Sequence, residues 1–522
     1  VFAGTRIPTG LVAATLGKLH GGEKVTYGET VGTVIGMGMG SWNGIRQAYA
    51  VLRHGTQDLG KAEQRGPAIK GVKGEIIRLP FRALEAGDAM FRAINETGTA
   101  YGLAMRQAAS EKLNFGSSAF NRRVAELVDK PTKKMTEEIQ ASGRRYTFTE
   151  ELGPAGQALQ TLLTEVPALK FAIPFVRTPA NIFKETGKFV PGVNFLIRQV
   201  RDDFRKGGAA RDKVIGDMTV GGGVMAGAWM MVDAGIITGG GSPNPEERAS
   251  ALAAGWRPYS IHFNGEYYSY RRFEPIATLL GATADAHTAL GYMSKNEADK
   301  ASKMLWYAFS QQVTNKTFLQ GIVKLMGALA DPYSRGERFS EGLAGSIIPG
   351  LISQIGGKID DYQREVSGIL DAIKARIPII REGLLPKRDI FGEPVRNDEQ
   401  FLMFSSVRIS RDTTDPVRRE AARLGVGLGQ IPKTLGAIRI LKNSGIELTD
   451  VQRDYFHSEA GQIAYELIAQ QISQPGWDTM HPLLQRATME RAFHLARKKA
   501  AFETVPPEQR AKVLQQLAAE LQ

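Results

Sequence analysis

Apolar residues recur at three- and four-residue steps along most of the chain. Phe81, Leu84, Gly87, Phe91 and Ile94 form one such run, and its spacing predicts helix after helix over 79–165. The same period returns beyond 275 and predicts helices over 276–294, 300–330, 343–376, 396–440 and 447–518, with interruptions. Near the end, Ile463, Leu467, Ile468 and Ile472 make one stripe, and Met489, Ala492, Phe493, Ala496 and Ala500 another. One segment departs from this rhythm. In Tyr259–Tyr270 the Asn264-Gly265 pair supplies the two positive-φ residues of a type I′ turn, so Phe263 should face Glu266, Ile261 Tyr268 and Tyr259 Tyr270. That register puts an aromatic and aliphatic ladder on one face, His262 and Tyr267 on the other, and core packing of the Tyr and Phe rings is the expectation. The pattern therefore predicts a mainly α fold, an elongated multi-helix assembly with one small β-hairpin at about 256–273.

Punctuation divides the chain. Thr147-Phe-Thr-Glu-Glu151 reads as a helix start, because a hydroxyl and two negative charges suit exposed N–H groups. Pro174 and Pro179 break the apolar stretch 169–183 and predict a kinked helix–turn–helix. Residues 239–245, Gly-Gly-Gly-Ser-Pro-Asn-Pro, read as a linker. Five segments result: a Gly-rich 1–78, a helical 79–215, a Gly-rich apolar segment and linker 216–245, a hairpin plus helices 246–395, and an amphipathic helical 396–522.

Two glycine-rich runs invite a functional reading. Within 31–40, Gly36-x-Gly38 would need a glycine at 41 to cradle a phosphate; Ser41 stands there, and no Gly-Lys-Ser/Thr follows. Close helix packing or a membrane-apposed turn fits better. From Met218 to Ile237 the one charge is Asp233, and the run contains Gly223-x-x-x-Gly227. At about 1.5 Å per residue it would span roughly 30 Å, the thickness of a bilayer core. A buried helix whose glycines admit a neighbour competes with that reading, and conditional insertion reconciles the two. Gly223, Val224, Gly227, Trp229, Met230 and Ile236 are accordingly the candidate membrane or oligomer contacts.

Composition narrows the chemistry. The 522 residues are 43% hydrophobic and 23% charged, which fits neither a disordered tail nor a polytopic membrane protein. With no cysteine, disulfides, thiolate metal sites and cysteine nucleophiles are excluded. Sixty-six basic against 54 acidic residues give +12, which permits a polyanionic partner without establishing one. The chain opens at Val1 with no signal-peptide pattern, so it is expected to be one segment of a longer polypeptide. No two of the seven histidines stand at the i, i+4 spacing of a helical metal site, and the nucleophile-elbow, Walker, zincin and EF-hand patterns do not occur. Adjacent acids such as Asp202-Asp203 splay apart on a helix and make no dyad. No catalytic residue, metal or cofactor is therefore assigned. Arg271 and Arg272, interleaved with Tyr268, Tyr270 and Phe273, and Arg491 and Lys498 on a basic helix face are candidate DNA contacts, each weighed against an ordinary solvated face.

Four phrases carry a resemblance. They are Arg145-Tyr-Thr-Phe-Thr-Glu-Glu-Leu-Gly-Pro-Ala-Gly156, Ile173-Pro-Phe-Val-Arg-Thr-Pro-Ala-Asn-Ile182, Gly255-Trp-Arg-Pro-Tyr-Ser-Ile261 with Tyr268-Ser-Tyr-Arg-Arg-Phe-Glu-Pro275, and Leu385-Pro-Lys-Arg-Asp-Ile-Phe-Gly-Glu-Pro394. In this order, over roughly 80–500, the chain resembles the internal virion proteins of short-tailed bacteriophages, related to the large polyvalent proteins packaged with phage DNA. The resemblance implies a protein stored in the virion interior and ejected into the host cell envelope, periplasm or membrane. There it would form a homo-oligomer and, with other ejection, portal or tail proteins, a conduit for genomic DNA in transit. Helices with local contacts and no disulfides suit a chain threaded through a portal. A modest, dispersed positive charge suits a channel that must not hold DNA. Two other readings stand beside this one: a segment of a virion-borne enzyme, peptidoglycan-lytic or acting on nucleic acid, and a soluble DNA-binding packaging protein.

Overall fold

The computed structural model describes residues 2–20, 24–54, 72–165, 176–273, 276–292, 360–366, 369–377, 380–400, 407–427 and 448–521. The helices expected over 300–330, 343–359 and 428–440, and the Pro174 break, lie outside the described residues. The fold is mainly α with one small antiparallel sheet. The chain divides into two units, 1–231 with 273–323 and 232–272 with 324–522.

Unit 1 is built on a long helical pair. Helix α2 (Tyr27–His54) lies against α3 (Val72–Ser110) after a shorter α1 (Phe2–Leu16). The glycine run is thus helical, and the close-packing expectation holds. A side chain at Gly36 would place its Cβ 2.5 Å from the Thr97 carbonyl oxygen, and one at Gly32 2.8 Å from that of Tyr101. Gly40 and Gly44 repeat the contact one and two turns on, so the two backbones meet directly where side chains normally hold helices apart. Along α3 the buried line runs through Ala86, Ala93 and Ala100, while Phe91 of the expected apolar stripe stands half exposed. The end of α3 packs Leu103, Met105 and Ala108 on Phe120 and Val124 of α4 (Ser118–Asp129) and Met135 of α5 (Lys133–Tyr146). Ser117 and Thr132 cap these two helices by accepting from the Phe120 and Met135 amides.

Thr147 corrects the sequence reading. It closes α5 rather than opening a helix: its hydroxyl donates to the Gly143 carbonyl at 2.8 Å, and Phe148 follows with φ 57°. The next helix, α6 (Pro154–Glu165), begins at proline, whose missing N–H costs nothing in a first turn. Then come α7 (Arg177–Lys188), α8 (Arg198–Lys206), α9 (Gly208–Asp233) and, after the excursion into unit 2, α11 (Ile276–Tyr292). Phe189, Val190, Leu279 and Ala282 form a core with Val220, Val224 and Met225 of α9.

Unit 2 carries the sheet. Strands β1 (Ser260–Phe263) and β2 (Glu266–Ser269) pair in the expected register, Ile261 with Tyr268 and Phe263 with Glu266, and Asn264 and Gly265 take φ 51° and 74°. The faces differ from expectation. Tyr259, Tyr267 and Tyr270 are buried, whereas the Phe263 and Ile261 ladder stands exposed. Tyr259 has φ 55°, which breaks the alternation and turns its ring onto Tyr270, edge-on at 6.5 Å. Two further strands, β3 (Glu399–Gln400) and β4 (Arg408–Arg411), extend the sheet in the order β1-β2-β4-β3. Helix was expected there. The free edge of β2 takes up β4, with Tyr267 opposite Ser410, so pairing overrides local propensity. Residues 360–366, expected helical, are extended and bridge to Arg396 and Pro386. The 239–245 linker is tied down: the Tyr259 amide donates to the Gly239 carbonyl at 3.0 Å, and the Trp256 ring fills the space beside Gly241.

The main core of unit 2 joins α13 (Pro416–Leu424), α14 (Asp450–Ile472) and α15 (Pro482–Thr504). Both C-terminal stripes enter the packing as expected: Ile468, Met489, Ala492, Phe493 and Ala496 are buried together, and Ile463, Leu467 and Ile472 pack on them. Helices α10 (Pro245–Ala253), α12 (Ile369–Lys374) and α16 (Arg510–Leu521) complete the unit.

Candidate functional site

The proposed membrane or oligomer contacts separate on α9. Val224 packs inward on the Phe189 core, and Trp229 stacks edge-on against His287 at 4.9 Å while keeping 37% of its surface exposed. Side chains at Gly223 or Gly227 would meet no atom within 4 Å, so among the described residues this glycine pair admits no neighbour. Gly221 does: its Cβ would fall on the Phe189 carbonyl. Met230, Met231 and Ile236 are exposed beyond it. Among the described residues, no helix is long and apolar enough to cross a membrane.

The proposed DNA contacts fall on two elements. Arg271 and Arg272 follow the hairpin, both exposed, with Arg271 over the Tyr259 ring at 5.3 Å. Arg491 stands exposed on α15, and Lys498 is half-buried two turns further along it. Among the described residues, no cluster of three histidine or acidic side chains is placed to hold a metal ion.

The quoted phrases prove to be fixtures of the fold. Asn181 of the second donates to the carbonyls of Phe148 and Glu150 of the first, at 2.9 and 2.8 Å, and Lys184 reaches the Glu150 carboxylate at 2.8 Å. In the third, Arg257 donates to Asp398 at 2.8 Å, and Gly255 at φ 101° leaves room for the Arg411 carbonyl. In the fourth, Ile390 and Phe391 plug the unit 2 core, while Arg388 grips Asp454 bidentately at 2.6 and 2.7 Å. Gly392 at φ 77° lets this turn press against the Ser458 carbonyl.

The sequence reading missed a charged cavity of about 750 Å³ inside unit 1, lined by seven basic and five acidic side chains from α1, α2, α3, α5, α7, α8 and α9 and the turns beside them. Behind its wall Glu185 accepts from the lining residues Arg145 and Lys188, and Arg145 lies 3.7 Å from Asp217. Thr9 donates to Asp217 at 3.0 Å. Across the cavity Glu29 sits 3.5 Å from Arg106 and 3.4 Å from Lys213. Burial opposes ionisation of Glu185, yet Arg145 and Lys188 overcome it and hold the carboxyl below its usual range. Burial pushes Asp217 up, against the pull of Arg145. Such matched charges from α5, α7 and α9, with the Thr9 hydroxyl of α1, fix the relative register of helices that small residues alone would let slide. Sequence separation hides this network, since Thr9 and Asp217 are 208 residues apart.

A second feature went unread: the face of α2 turned away from its glycines keeps Trp42 at 60% and Tyr49 at 64% exposure. The three- and four-residue spacing of that face was the available signal. No family model, no curated protein and no solved structure matches this chain.

Proposed function

We propose that this chain is an internal virion protein of a short-tailed bacteriophage, ejected into the host envelope, where copies assemble into part of a conduit for the genome. The observation that carries this reading is the surface of unit 1. Large apolar side chains stay uncovered along α2 and at the end of α9, with Met230 73% exposed, and such surface is normally closed by association. The four quoted phrases support the family, and the buried charge network supports a shape-giving role rather than turnover. DNA in transit would meet Arg271, Arg272, Arg491 and Lys498 as scattered charges, which attract the polyanion without arresting it.

The test uses the full chain with vesicles of phosphatidylethanolamine and phosphatidylglycerol. The chain is expected to float with the vesicles as multimers and to release an entrapped dye. Met230→Glu, on an exposed position, should cut flotation several-fold at unchanged helical circular dichroism. A chain that ignores lipid, or one that clears peptidoglycan in a zymogram, would overturn the proposal.

A further inference from the structure

The exposed face of α2 has a period that its own unit does not use. From Val31 the outward positions advance by 4, 3, 4, 3, 4 and 3 residues to Leu52, and extending the pattern back by three reaches Gly28. That is a coiled-coil seam, about 30 Å long at 1.5 Å per residue. It lies opposite the glycines that meet α3, and a side chain at Gly38, in its middle, would touch nothing within 4 Å.

The seam is symmetric about residue 40. If a second copy of α2 runs antiparallel across it, residue i faces residue 80 minus i. Gly38 then faces the second copy's Trp42, Ile35 its Ile45, Val31 its Tyr49, and Gly28 its Leu52. In two of these four layers a glycine meets a large residue, and the central notch at Gly38 receives the indole. Each contact occurs twice, as an isologous interface requires. A parallel pair in register would instead stack Gly38 on Gly38, leaving a void, and would crowd Trp42 on Trp42. The area is also adequate. Eight large side chains between Val31 and Leu52, each 41% to 64% exposed, leave on the order of 700 Å² uncovered, against roughly 800 Å² per partner in a standard interface.

We infer that the occupant of this face is a second copy of the chain, paired antiparallel through α2 about a twofold axis at Gly40. The inference rests on the self-assembling reading for its choice of partner, but it requires neither lipid nor DNA.

The chain has no cysteine, so introduced thiols are the only ones. Full-length Ile35→Cys and Ile45→Cys chains, mixed and treated with a short bis-maleimide, should cross-link to each other while neither cross-links to itself. Residues 35 of the two copies would be offset by roughly 15 Å. Sedimentation equilibrium without lipid should give a dimer, and Trp42→Ala, at an exposed site, should weaken it at least tenfold with helical content intact. Self-cross-linking of either variant alone would mean parallel pairing and would overturn the inference, as would a monomer at high micromolar concentration. So would a chain that stays monomeric and loses vesicle binding on Trp42→Ala, since the face would then be lipid-facing. A dimer that leaves vesicles intact would sustain the seam and remove the conduit instead.

Discussion

The α2–α3 pair of unit 1 and the α14–α15 pair of unit 2 solve one problem in opposite ways. Each pair consists of helices of more than twenty residues. In unit 1 glycines bring backbones together, as where Gly36 meets Thr97, and the large apolar side chains of α2 are left outside. In unit 2 large side chains fill the space: Phe391 lies 5.8 Å from Phe493 and edge-on to Tyr465 at 5.6 Å, with Met489 and Ile468 wholly buried. Beyond this core α15 exposes Arg491 and His494 together with Leu483, Leu484 and Leu495. A helix pair closed by glycine spends no bulky side chain on itself, so its bulk remains for a partner. A pair filled by Phe391, Met489 and Ile468 also holds Phe493 in its own core, and the apolar residues it leaves outside are mostly aliphatic.

The largest expected effect tests the aromatic side of this contrast. Phe391→Ala should destabilise unit 2 by about 3–5 kcal/mol, because the ring leaves a cavity that the Arg388–Asp454 clamp and the Gly392 turn prevent from collapsing. Urea unfolding followed by tryptophan fluorescence reads this directly, since Trp477 sits in the same core. A loss below 1 kcal/mol would mean that the core is not held by that ring.

The glycine side is tested by a matched pair of substitutions on one helix. Gly36→Val should cost about 1–3 kcal/mol, because the added carbon meets a backbone carbonyl that cannot rotate away. Gly38→Val, two residues on and facing open space, should fall within about 0.5 kcal/mol in the monomer, since valine is no worse than glycine in a helix. Thermal unfolding at a concentration that keeps the chain monomeric separates the two. Equal losses would show that the Gly36 contact is not the closing element.

Legibility in the sequence followed the range of the interactions. The β1–β2 register could be read from Asn264-Gly265 because a turn dictates its flanks within a few residues. Ile468, Met489 and Phe493 were legible because a stripe on one helix identifies the buried side whatever covers it. Thr147 was misread because a threonine hydroxyl serves either helix end, and only the Gly143 carbonyl behind it decides which. Strand β4 was read as helix because its partner, β2, lies some 140 residues earlier and supplies the hydrogen bonds. In the candidate site, Met230 and Ile236 are exposed, whereas Val224 turns inward because Phe189 and Leu279 cover that side of α9. The cavity network was illegible for the same reason as β4, since its polar groups come from helices up to about two hundred residues apart.

The last expected effect separates the units by pH. His457 on α14 is pushed down to about 4, first by burial, with Arg388, Arg497 and Arg453 opposing its protonation and Asp454 favouring it. A histidine whose folded value lies below its ordinary 6.5 binds fewer protons when native. Its contribution is therefore complete above pH 6.5 and is lost as the pH falls from there toward 4. Allowing for the exposure that remains, the loss is on the order of 2 kcal/mol. Unfolding of unit 2 followed at pH 7, 5.5 and 4.5 should show this slope, and His457→Gln, which carries no titrating proton, should flatten it. Unit 1 has no histidine in its glycine seam, so Gly36→Val should cost the same across that range. If His457→Gln left the acid slope of unit 2 unchanged, the neighbouring carboxylates rather than the imidazole would be setting it, and the aromatic-filled unit would owe its acid sensitivity to surface pairs.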